Sequence, residues 1–197
     1  MNKLFATGGI VASAILIAFG IGTIVVAVNG RADVRDAIQR EQITGSPDMT
    51  PKATGAALTE AGLEDVEVPA CSAAGVVVDT GSKAKCFADY MRIHTLEATD
   101  GQTYSQMPRF MGKDGKPTAD EKLAATDPKT GASVDNPQRN IWVTETALAT
   151  AMNTSYFAER VSLFSLIVGI ALLLSGIGFL VLTVGLARRT ADPPAAT

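Results

Sequence analysis

Two stretches of this sequence carry no charged side chain: residues 4–28, LFATGGIVASAILIAFGIGTIVVAV, and residues 161–187, VSLFSLIVGIALLLSGIGFLVLTVGLA. Each is longer than the roughly 20 residues a helix needs to cross a bilayer core of about 30 Å. In lipid a single segment satisfies its backbone N–H and C=O groups only as a helix. The sequence therefore predicts two antiparallel transmembrane helices, 4–28 and 161–187. A short segment 1–3 precedes them, a tail 188–197 follows, and residues 29–160 between them suffice for one small domain. A cleaved signal peptide is a poor match to the first run, because signal-peptide apolar regions span roughly 7–15 residues. The following NGRADVRDAIQR also offers no small-x-small cleavage site.

Two spans put both termini on one side. Lys3, Arg188 and Arg189 flank the runs on the terminal side, and Arg31, Arg35, Arg40 and Arg160 flank them on the domain side. Long loops cross membranes largely regardless of charge, which discounts the domain-side arginines. The only two cysteines, Cys71 and Cys86, both fall in the domain. In an oxidising compartment such a pair reads as a disulfide, whose closed loop would stabilise the domain by about 3 kcal/mol. In a reducing one they are two separate thiols. The expectation is a multi-pass protein of the cell membrane, with cytoplasmic termini and residues 29–160 outside the cytoplasm. A net charge of −3 with scattered Lys and Arg predicts no nucleic-acid partner.

Within the domain, RADVRDAIQREQI continues helical spacing until TGSPDMTP, where Gly45, Pro47 and Pro51 are expected to end the helix. ATGAALTEAGL is ambiguous. VEV at 66–68 and GVVVD at 75–79 are β-branched runs that read as strands, and TGSK as a turn places a hairpin-like element inside the Cys71–Cys86 loop. A helix is predicted from Cys86 to Ala98 with Phe87, Met91, His94 and Ala98 on one face, ended by Gly101. Residues 112–139 hold turn clusters and read as a long surface loop. Asp114 and Asp120 there lack the EF-hand spacing. Asn136-Pro137 reads as a helix start, from which the chain runs without a breaker into the second apolar run. Trp142 is expected in the domain core, and Tyr156 and Phe157 near the bilayer surface. The whole is an α+β membrane protein.

Small residues recur every seven positions in both runs: Ser13, Gly20 and Ala27 in the first, Gly169, Gly176 and Thr183 in the second. That spacing holds one stripe against a partner helix and lets backbones approach closely. Ala171, Gly178 and Gly185, with the row Ala14, Ala18 and Gly22, would leave a small-residue face for another subunit. Neither run contains an ionisable residue of the kind that proton relays and ion pathways need, which argues against a stand-alone transporter or channel.

The one histidine, His94, has Glu97 three residues on and Asp89 five before, a conceivable ligand site on one helix. A two-histidine, one-carboxylate iron site needs a second histidine, a di-iron bundle needs still more, and no GxSxG elbow is present. Neither a metal nor a cofactor is expected, and His94 is read as a side chain at the edge of the core.

His94, Leu96, Glu97, Ala98, Thr99, Gly101, Thr103 and Tyr104 form an HxLEATxGxTY pattern; Asn153, Ser155, Tyr156 and Phe157 lead into the second run. In these features the chain resembles a family of actinobacterial two-span membrane proteins whose members often carry the label "aromatic ring-opening dioxygenase". The resemblance covers both runs and about half the domain. Asp100, the 112–139 segment and the cysteine pair depart from the pattern. With a single histidine, what the resemblance implies is location rather than activity. The expected function is a non-catalytic accessory or scaffolding subunit that binds other membrane or envelope proteins and the lipid bilayer. The alternative is an external enzyme or small-ligand binder using His94, Glu97 and Asp89.

Overall fold

The computed structural model describes the backbone of residues 3–191. Of the expected cytoplasmic segments, residues 1–2 and 192–197 lie outside the described residues, as do the side chains of Lys3 and Arg189. The chain divides into two compact units, Met1–Arg35 with Phe157–Thr197, and Asp36–Tyr156. It is mostly helical: α1 (Lys3–Arg40), α2 (Pro51–Glu60), α3 (Gly81–Ala98) and α4 (Gln138–Ala191). The only sheet among the described residues pairs β1 (Phe110–Met111) with β2 (Pro117–Thr118), antiparallel. The expected β component is therefore small.

In the first unit α1 and α4 run antiparallel. Gly9 lies by Thr183, Ile17 by Gly176, Gly20 by Gly169 and Gly30 by Ser162. Ile17 and Ile24 pack onto Gly176 and Gly169 in this contact, whereas Phe5, Phe19, Val26, Phe164, Leu174, Phe179 and Leu182 are each more than half exposed.

The second unit is built on α3. Thr80 caps it by accepting the Lys83 N–H, so TGSK is the start of the helix rather than a hairpin turn. Its buried stripe is Ala84, Phe87, Tyr90, Ile93 and Leu96. The predicted face is thus rotated, with Ala98 exposed and Met91 and His94 on the flank. Two bonds fix that rotation: the Cys71–Cys86 disulfide, with Cα atoms 6.2 Å apart, and the Tyr90 hydroxyl donating to the Cys71 carbonyl at 2.6 Å. At the far end Gly101, at φ 74°, donates its N–H to Leu96 O and closes the helix as expected.

The predicted hairpin within the disulfide loop does not form. Val77 and Ala74 bridge instead to Thr44 and Gly45, and Val78 donates to Ile43 O. That pairing needs residues 43–45 extended, so α1 stops at Arg40, ahead of Gly45 and the prolines expected to end it. Pro51 instead opens α2, capped by Thr50.

Residues 112–139 follow a looped path pinned by short pairings, Phe110 to Asp135, Gly112 to Ala124 and Thr126 to Ser133. Asp114, Asp120 and Asp127 each accept the N–H two residues on, so these carboxylates shape turns. Asn136, almost fully buried, accepts the Gln138 N–H and donates to Pro108 O, starting α4 where its sequence predicts. Trp142 lies in the core with Leu96 and Met107, flanked by Leu63 and Val66.

Candidate functional site

The three residues of the predicted ligand site share α3 but do not converge. His94 Nε2 lies 3.4 Å from Asp48 Oδ2. The Asp48 carboxyl is held below its usual range, first by the Ser46 hydroxyl bonded to it and more weakly by the His94 charge, against an opposing effect of burial. Asp89 is taken by Lys85 one turn away, at 2.8 and 3.0 Å. Glu97 Oε1 is shielded from solvent with no hydrogen-bond partner among the described residues. Successive α-helical residues are rotated by about 100°, so positions 89 and 94 point roughly 140° apart, which is why spacing alone did not make a site. Among the described residues no three His, Cys, Asp or Glu side chains stand close enough to hold a metal ion.

The seven-residue stripes occupy the contact between α1 and α4. Ser13 and Ala27 are buried, as are Gly169 and Gly176. A Cβ at Gly20 would come 2.7 Å from Leu173 N, and one at Gly176 would come 2.9 Å from Ile17 N. These are backbone atoms that cannot swing aside. Thr183 lies over Gly9. The other small residues behave differently. Gly22, Gly178 and Gly185 have nothing within 4 Å of a built Cβ, and Ala14, Ala18 and Ala171 are exposed.

The stripe ends in a feature that the spacing did not reveal. Glu159 Oε1 accepts Arg31 Nε at 2.9 Å and Arg35 Nη2 at 3.1 Å, with the Glu159 side chain only 10% exposed. A lone glutamate just ahead of one uncharged run, facing two arginines four apart just beyond the other, is the sequence signal. By position alone those arginines are flanking charges that bear on orientation.

In the second unit a cleft of about 610 Å³ lies between residues 66–71 and α3. Of the three predicted ligand residues, only Asp89 lines it. Arg92, also on its wall, sits 5.3 Å over the Trp142 ring. Comparison with known protein families, with curated proteins and with solved structures finds no match to this chain.

Proposed function

We propose that α1 and α4 cross the cell membrane and that the protein is a non-catalytic accessory or scaffolding subunit binding other membrane or envelope proteins. Both helices contain an apolar window of mean hydropathy 2.6, of which only 17% and 11% is buried within the protein. A core helix of a soluble protein would be mostly buried, and so much exposed apolar surface in water favours association or lipid. The disulfide supports an oxidising location for residues 36–156, hence cytoplasmic termini. The resemblance of His94–Tyr104 and Asn153–Phe157 to two-span actinobacterial proteins points the same way.

One observation carries the subunit reading. Gly20 and Gly176 are filled by the intramolecular contact, whereas on α1 Gly22 stands open in one row with exposed Ala18 and Ala14, and on α4 Gly178 and Gly185 stand open in one row with exposed Ala171. Small residues facing lipid forgo dispersion contacts that a second helix would supply. Purification in mild detergent with mass spectrometry is expected to recover a stoichiometric membrane partner, lost on Gly22→Leu. Recovery of the protein alone and monodisperse overturns the reading.

The alternative, an external enzyme or ligand binder, has the shielded Glu97 oxygen in its favour. It predicts that His94→Ala, at normal protein level, reproduces the deletion phenotype; the subunit reading predicts a near-normal one.

A further inference from the structure

The backbone of residues 67–70 has an arrangement unlike the rest of the second unit. Val66 packs on the Leu96–Met107–Trp142 cluster, and Val68 Cγ2 lies 3.9 Å from where Gly55 would carry a Cβ. Glu67, between them, is exposed. Alternation of this kind is the side-chain pattern of a strand. Yet after Val66 N–H, which donates to Leu63 O, no backbone group of residues 67–70 has a hydrogen-bond partner among the described residues. Other extended segments do pair: 43–45 with 74–78, and 110–112 with 117–118, 124 and 135.

This bare main chain forms one wall of the 610 Å³ cleft. The facing wall is α3, whose largely buried Ile93 and Leu96, 3% and 8% exposed, reach the floor of the cleft. Of the cations there, Lys85 is neutralised by Asp89. Arg92 is held over Trp142 and has no carboxylate partner among the described residues.

Resting on the subunit reading above, we propose that this cleft seats an extended peptide segment of a partner protein. The segment adds as a strand alongside residues 67–70, turns alternate apolar side chains toward Ile93 and Leu96, and places a carboxylate on Arg92. An open strand edge beside a helix recognises peptides in this way: main-chain bonds give affinity and alternate pockets give selectivity. A compact apolar ligand would cover Ile93 and Leu96 but leave to water the main-chain N–H groups of the open edge, which in an extended segment are those of alternate residues, either Glu67 or Val68 with Ala70. Pro69, which has no N–H, keeps the edge short and unsuited to indiscriminate sheet pairing.

The test uses the full chain in lipid nanodiscs. A display library of random linear heptapeptides is panned against it, with counter-selection on empty discs. Enriched peptides are expected to alternate apolar residues and to carry an acidic group. A synthesised winner should slow amide exchange at Glu67, Val68 or Ala70 by about tenfold. Backbone N-methylation of that peptide should abolish binding, and Arg92→Gln should weaken it by about tenfold. No enrichment over empty discs, or winners that protect amides elsewhere and leave 67–70 unchanged, overturns the proposal. Recovery of a membrane partner in mild detergent alongside such a failure would reject the cleft while leaving the subunit reading standing.

Discussion

Gly20 and Gly169 lie back to back: a Cβ on Gly20 would reach Gly169 O at 2.9 Å, and one on Gly169 would reach Gly20 O at 3.0 Å. Neither carbonyl can rotate away without breaking a helix. Gly20→Leu or Gly169→Leu should therefore separate α1 from α4, at a cost of about 1–3 kcal/mol or more. Gly22→Leu, with open space around it, should leave the pair intact. Cysteine cross-linking between positions 30 and 162, where a Cβ on Gly30 would lie at an ordinary 3.5 Å from Ser162 Oγ, compared across the three variants in detergent, checks this. Equal cross-linking in all of them would refute the close contact.

Glu159 holds two guanidinium groups that are themselves about 40% exposed, so the full penalty of a buried ion pair does not apply. The loss falls mainly on hydrogen bonds to a charged, shielded acceptor, each about 1.5–3 kcal/mol net and toward the lower end with partners this exposed. Glu159→Leu should lower the thermal midpoint in micelles more than Glu159→Gln, which keeps one acceptor. High salt should shrink the difference only slightly, since the acceptor is shielded.

The Cys71–Cys86 bond closes a separation of 15 residues. Removing it by Cys71→Ser with Cys86→Ser should cost about 3 kcal/mol by the loop-entropy account. Urea unfolding followed by amide exchange within 36–156 reads the loss. Reduction of the native protein should reproduce it and should leave the double variant unaffected.

Tyr90 couples this bond to α3, and burial raises its phenol above the ordinary value of 10.0. The neutral form is thus the native one. Its contribution to stability is complete below pH about 10 and is lost as pH rises through the higher folded value. Tyr90→Phe should cost about 1 kcal/mol at neutral pH through the lost bond to Cys71 O. It should also flatten the alkaline fall in stability. An identical alkaline limb in both proteins would show that another group controls it.

Features set by local composition were readable from the chain. Two charge-free runs had to become long helices, Asn136-Pro137 had to start one, and the cysteine pair, expected to bond in an oxidising compartment, is bonded. What failed depended on distant partners. GVVVD, expected in a local hairpin turning at TGSK, pairs instead with residues 43–45, some thirty positions back. On α3, steps of three and four fit the apolar residues equally well. The disulfide and the Tyr90 bond selected the Phe87–Tyr90–Ile93–Leu96 stripe, which moved His94 to the flank beside Asp48. His94, Glu97 and Asp89 were near in sequence, yet each found a different environment. The Glu159 clamp was invisible to spacing because its partners lie at the other end of the chain.

Trp142 is the only indole in the protein, and three separate segments determine its surroundings. Its Nε1–H donates to Gln102 O at 2.8 Å, Leu96 and Met107 enclose the ring, and Arg92 lies over its face. The chain thus contains its own unlabelled optical gauge. A red shift in emission would signal that α4 has parted from α3, and quenching without a shift would signal a change in Arg92 alone.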